Sequence, residues 1–201
     1  LGDCAATGMT FAGTPASPAI LAAIRPLGIA AEAAMHAATG GVNTHKGAIF
    51  AFGLIAAALG RRLAAQGTAT LADVQDDVRA ISAGLLAELQ QSGDDSAGKR
   101  GYARHGISGA RGEAAGGYTT VTRHALPAYR QALATDGNSR RALHLALVTL
   151  YAVNDDSTTL ARVGLDGLRA HQHWARQLLA DRATLADEMR LADAIAAYAR
   201  D

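Results

Sequence analysis

Residues 44–66 read THKGAIFAFGLIAAALGRRLAAQ, and between Ile49 and Leu59 no position carries a charged or strongly hydrogen-bonding side chain. A helix that is apolar nearly all round belongs inside a protein. The stretch is therefore expected to be a buried central helix, capped by Thr44 and running to about Gln66. Its uninterrupted apolar run, Gly47 to Leu59, is 13 residues, short of the roughly 20 that span a bilayer. No basic-then-apolar signal opens the sequence. A cytoplasmic protein with no membrane partner is expected.

Composition extends the helical reading to the rest of the chain. The 201 residues include 48 Ala and 22 Gly but only 15 Val and Ile together, so helix formers dominate and a large sheet is excluded. At 49% hydrophobic and 18% charged, the chain suits one packed domain over residues 1–201, an all-α helical bundle. The 19 basic and 18 acidic residues form no block of like charge, which argues against nucleic acid as a partner. Cys4 is the only cysteine, which excludes an intrachain disulfide and a multi-cysteine zinc site and fits a reducing compartment. Ala-rich helices pack closely enough to allow a homodimer.

Local signals place the helices. Residues 1–17 lack periodicity. Ser17-Pro18 reads as a cap followed by proline in the first turn, with apolar residues at Ile20, Ile24, Leu27, Ala31, Met35 and Ala38 up to Gly40-Gly41 and a kink at Pro26. Thr70 to Asp73 reads as a capping box opening a helix through Leu89. Residues 92–104 read as a polar loop. A short helix from Ser108 or Gly109 ends at Gly116-Gly117, and another covers 122–134. The Asp136-Gly137-Asn138 turn precedes helices over 139–153, 158–180 and 185–200.

Three polar clusters interrupt this apolar pattern. Gly40 to Gly47 contains Asn43, Thr44, His45 and Lys46 beside the start of the most hydrophobic helix. Free backbone N–H groups and a partial positive charge at a helix start favour phosphate; the plain alternative is a capped loop with a solvated lysine. It is no Walker loop, since GxxxxGK[ST] is absent. Gly106 to Gly117 carries Arg111 and Glu113, suited to phosphate and to a divalent ion or a proton, or equally to pairing with each other. Asn154-Asp155-Asp156-Ser157-Thr158 places two carboxylates side by side, which a magnesium ion on nucleotide phosphates would neutralise; helix capping is the competing use. Glu32 and His36, one turn apart, read as a surface pair. His105, His124, His144, His171 and His173 lack regular ligand spacing, Cys4 has no catalytic context, and Trp174 with Leu168, Leu178 and Leu179 reads as helix packing.

Taken together, GVNTHKGAIF at 41–50, GARGEA at 109–114, HALPAYR at 124–130, AVNDDSTTLARVGLDGL at 152–168 and RPLGIAAEAAM at 25–35 resemble the triphosphoribosyl-dephospho-coenzyme A synthase family over about residues 20–180. The AVNDD form and the RPLGIAAEAAM segment look more like its malonate decarboxylase branch than its citrate lyase branch. The resemblance implies an all-α transferase that joins ATP to 3'-dephospho-coenzyme A with release of adenine. The product would become the prosthetic group of an acyl carrier subunit. It further implies that Asn43, Thr44, His45 and Lys46 clamp the triphosphate, supplemented by Arg111 and Arg162. Glu113, Asp155 and Asp156 would hold magnesium, and Glu32 or Glu113 would act as general base.

The chain departs from the family pattern in places. It has no counterpart of the amino-terminal TPKPGLVD-type motif or of the Gly-Ser-Ala-Asp pattern near the carboxyl end, and an abrupt join near Gly8-Met9 reads as missing sequence. Ser157-Thr158 replaces the usual Thr-Asn, and Val163 replaces a glycine before Gly164. Two other readings stand beside the transferase: a non-catalytic nucleotide-binding or assembly protein of the same fold, and a magnesium-dependent ADP-ribosyl-type hydrolase.

Overall fold

The computed structural model describes residues 1–90 and 97–198, and among them every regular element is helical. In chain order these are α1 (Gly2–Met9), α2 (Pro18–Ala38), α3 (Lys46–Gln66), α4 (Leu71–Ile81), α5 (Leu85–Gln90), α6 (Ala97–His105) and α7 (Gly109–Ala115). After a π-helical turn (Val121–Ala125) follow α8 (Leu126–Asp136), α9 (Ser139–Val153), α10 (Ser157–Ala180), α11 (Arg182–Ala186) and α12 (Glu188–Tyr198). The fold class is all-α, as composition requires. The chain clusters into two compact units: Leu1–Asp95 with Ser108–Gly117, and Ser96–Ile107 with Tyr118–Asp201.

In the first unit, α3 packs on α1, α2 and α4. The α1–α3 seam is built from small residues. A Cβ added at Gly8 would fall on the Ala57 carbonyl, one at Gly60 on the Ala5 carbonyl, and one at Gly53 would lie 3.7 Å from the Cys4 sulfur. Residues 1–17 were expected to lack a helix because they lack apolar periodicity. They contain α1 nonetheless, because its contact is backbone against backbone and needs no large side chain. The helix runs unbroken through Gly8-Met9, so the expected join leaves no structural mark.

Burial of α3 is one-sided. Gly53, Leu54, Ala57, Ala58 and Gly60 are buried, while Phe52, Leu59 and Leu63 are exposed. Both α2 and α3 are 21 residues long and apolar enough to cross a membrane by length and composition alone. The 13-residue reading counted only an uninterrupted apolar string, and the helix continues past it.

A buried ion triad fixes the far end of α3. Asp77 is 2% exposed and accepts from Arg61 at 2.7 Å and Arg62 at 2.6 Å, while Arg61 also donates to the Thr14 carbonyl. The Thr70–Asp73 capping box forms as read. The helix it opens breaks at Ser82–Gly84, where Gly84 takes φ +98°, giving α4 and α5 in place of one helix to Leu89.

In the second unit, residues 97–105 form α6, where a loop was expected; 92–96 lie outside the described residues. Gly101 of α6 lies against a side chain of α10: an added Cβ would come within 2.9 Å of Leu160 Cδ2. Ile107, Leu160 and Leu168 form one small core. Val148, Ala152, Ala175, Leu178 and Leu191 form a second, against which Trp174 and Leu179 pack. Leu168 thus belongs to a different core from the one that holds Trp174. Helix α10 contains one residue in a glycine-only conformation, Gly164 at φ +74° and ψ −177°. The carboxyl-terminal helix expected over 185–200 is split at Asp187 into α11 and α12.

Candidate functional site

In the first unit the polar turn 40–47 is exposed throughout, at the amino end of an apolar helix. Gly40 and Gly41 take φ +63° and +87°, reversing the chain between α2 and α3. Asn43 Oδ1 accepts the Lys46 backbone N–H at 3.2 Å, so Asn43 rather than Thr44 caps the first turn. The Thr44 hydroxyl lies 2.8 Å from His45 Nδ1, and the His45 N–H points at Met35 Sδ, 3.0 Å away. His36 Nδ1 lies 3.2 Å from the Gly41 carbonyl, so its partner is the turn and not Glu32.

Glu32 instead meets Lys46, with Oε2 3.0 Å from Nζ and side chains 27% and 58% exposed. The structure therefore brings together two residues that the sequence assigned to different roles, a base and a triphosphate clamp.

Arg111 and Glu113 lie on α7, half-buried in the same unit. Sequence reasoning missed what holds that helix. Gln75 Nε2 donates to the Gly117 carbonyl at 3.0 Å and Arg79 Nε to the Gly116 carbonyl at 3.1 Å. Gly117 sits at φ +69°, with an added Cβ 2.9 Å from Arg79 Nε, so both conformation and space demand glycine there. The doubled Gly116-Gly117 was the available signal.

Asp155, Asp156 and Arg162 belong to the second unit. Asp156 Oδ1 accepts the Thr159 N–H at 2.6 Å and caps α10. Asp155 Oδ1 accepts from Gln172 at 3.0 Å and, more weakly, from Arg169 at 3.4 Å. Gln172, 2% exposed, also donates to the Asn154 carbonyl. One oxygen of each carboxylate is thus engaged, and the adjacent charges are tolerated through a cap and a cation. Neither Arg169 nor Gln172 was foreseen, since both come from a later turn of the helix. Asp156 also acts on nearby rings. Burial pushes the Tyr151 hydroxyl up and Asp156 adds to it; burial pushes the His171 imidazole down and Asp156 partly opposes it. Arg162 and Val163 are exposed.

Among the described residues no three His, Cys, Asp or Glu side chains are grouped to hold a metal. Asp155 and Asp156 each keep one oxygen outside the bonds above. Carboxylate oxygens are donors of the kind a hard cation takes together with water and phosphate.

Residues 2–200 match the family model described as CitG: ATP:dephospho-CoA triphosphoribosyl transferase. The chain belongs to this family. It is 47% identical over 163 residues to the 2-(5''-triphosphoribosyl)-3'-dephosphocoenzyme-A synthase of Pectobacterium atrosepticum, covering 80% of this chain and 54% of that protein. The protein of that name from Klebsiella pneumoniae is 42% identical over 171 residues, covering 84% and 57%. A probable synthase of Vibrio cholerae serotype O1 is 43% identical over 189 residues, covering 92% and 60%. The chain spans about half the length of the curated relatives it matches. No solved structure matches it. Of its departures from the family pattern, Val163 is accommodated because it is 58% exposed.

Proposed function

We propose that the chain carries the nucleotide-handling part of a transferase that moves the triphosphoribosyl group of ATP to 3'-dephospho-coenzyme A and releases adenine. The observation that carries this reading is the exposed turn 40–47. There the backbone N–H groups of the first turn of α3 beyond Lys46, whose own N–H is taken by Asn43 Oδ1, and the Lys46 ammonium lie at one exposed helix start. This is the donor set a polyphosphate needs.

The chemistry is glycosyl transfer. A ribose hydroxyl of dephospho-coenzyme A attacks the carbon that bears adenine, through an oxocarbenium-like transition state. The C–N bond breaks with its electron pair going to adenine, and the hydroxyl proton is given up to a base. Lys46, with Asn43, Thr44 and His45, holds the triphosphate and fixes the ribose for attack. Glu32 or Glu113 takes the proton, Arg111 adds positive charge in the first unit, and Arg162 is a proposed phosphate contact in the second. Magnesium, when bound, neutralises phosphate charge; Asp155 and Asp156 are its proposed ligands in the second unit, and Glu113 is a candidate ligand in the first. We place the protein in the cytoplasm, in the malonate decarboxylase branch, with its product destined for an acyl carrier subunit.

The test follows adenine by chromatography during incubation with ATP, magnesium and dephospho-coenzyme A. Release that requires the acceptor is the expected result. Release that ignores it indicates hydrolysis, and no release indicates a binding protein; either outcome overturns the transferase reading.

A further inference from the structure

We infer that the Glu32–Lys46 ion pair is exchanged for a Lys46–triphosphate contact when nucleotide arrives, so that the substrate itself frees the carboxylate that accepts the proton. The inference rests on the reading of this turn as a triphosphate site and adds a coupling that the reading does not contain.

The pair joins two helices, α2 and α3, across the Gly40-Gly41 reversal. The neighbouring polar groups are already engaged: His36 with the Gly41 carbonyl, His45 with Thr44, and Asn43 with the Lys46 N–H. Lys46 Nζ and Glu32 Oε2 therefore have each other, at 3.0 Å, in a site open enough to leave the lysine 58% exposed. A partly exposed pair of one lysine and one carboxylate is weak. A triphosphate at the start of α3 offers the same ammonium a far larger negative charge, and the flexible lysine stem can follow it.

The consequence for Glu32 is chemical. While paired, its Oε2 is held 3.0 Å from the Lys46 ammonium. Relieved of that contact and still only 27% exposed, its oxygen is free to meet the attacking hydroxyl. It takes the proton of the attacking hydroxyl as the new O–C bond forms and the C–N bond to adenine breaks. Adenine leaves with the bonding pair and takes up one proton, so hydroxyl and adenine exchange one proton overall. Before nucleotide binds, the pairing keeps this carboxylate from activating water.

Exchange makes a counter-intuitive prediction, tested by calorimetric titration of the whole chain with inorganic tripolyphosphate. Removing the competitor with Glu32→Gln should tighten binding by about two- to fivefold, the range expected for releasing a partly exposed pair, while lowering the rate of adenine release. In a Lys46→Met background the same substitution should leave affinity unchanged. Equal tightening in both backgrounds would mean simple through-space repulsion and overturn the exchange, as would no tightening in either. If the unsubstituted chain does not bind tripolyphosphate, the triphosphate reading itself falls and the exchange with it. If Glu32→Gln tightens binding only when Lys46 is present yet leaves adenine release intact, the exchange stands and Glu32 is overturned as the base.

Discussion

At the scale of single residues, a group's partner decides its role more than its type does. Asp77 and Asp156 are both aspartates near helix ends. Asp77 is sunk between Arg61 and Arg62, whereas Asp156 spends one oxygen on a backbone N–H and leaves the other out. Replacing Asp77 with Ala removes the shared carboxylate from two guanidiniums that are 12% and 19% exposed, leaving Arg61 the Thr14 carbonyl and Arg62 the Asp73 carboxylate at 3.6 Å, and should cost up to about 3 kcal/mol, read as a lowered midpoint in urea unfolding. Replacing Asp156 with Asn keeps an acceptor for the cap. It should therefore cost under about 1 kcal/mol in stability while weakening the magnesium dependence of adenine release. An unchanged magnesium requirement in that variant would remove Asp156 from the metal site.

At the scale of elements, helices with a cap and a periodic apolar face were legible: α2 from Ser17-Pro18, α4 from its capping box and α9 from the Asp136–Asn138 turn. Helices that pack through glycine were not. Neither α1 nor α6 has a stripe of large side chains: α1 meets α3 at glycines where a Cβ would strike backbone, and α6 meets the Leu160 side chain at Gly101. The same physics left part of the site unread. Asn43, Lys46 and the Asp155-Asp156 pair stand out by residue type, but the Glu32–Lys46 pairing depends on how two helices meet across Gly40-Gly41. The grip of Gln75 and Arg79 on α7 likewise depends on two backbone carbonyls. Gly8→Ala tests the seam. Forcing a methyl against the Ala57 carbonyl should cost about 1–3 kcal/mol, measured by thermal unfolding, and an unaltered melting temperature would show that α1 does not rest on α3 as described.

At the scale of the whole molecule, charge gives two separate windows of pH sensitivity. His171 packs against Tyr151 at 4.5 Å and Tyr198 at 5.2 Å, with Trp174 stacked on Tyr198 at 3.9 Å. Burial lowers its affinity for a proton, opposed in part by Asp156. The unfolded chain therefore protonates first. Stability is full above the ordinary histidine value of about 6.5 and falls as pH drops below it, until the folded imidazole is protonated as well. The hydroxyl of Thr70 holds Asp73 below the usual carboxylate value, the Asn138 N–H with Arg141 does so for Asp136, and the Thr184 hydroxyl for Asp181. Their contributions are present above about 3.8 and are lost only as pH falls through the depressed values. Unfolding midpoints measured from pH 8 down to pH 3 should show an upper step that disappears in His171→Phe and a lower one that does not. A single step unaffected by the substitution would contradict the assignment.

These scales meet at the start of α3, where an apolar helix presents one ammonium and a capped first turn to solvent. The most direct measurement is the dissociation constant of ATP, by calorimetry, for the unsubstituted chain and for Lys46→Ala. Loss of a charge-assisted contact predicts weakening of about ten- to a hundredfold. Equal affinity for the two proteins would contradict the proposal that Lys46 grips the triphosphate.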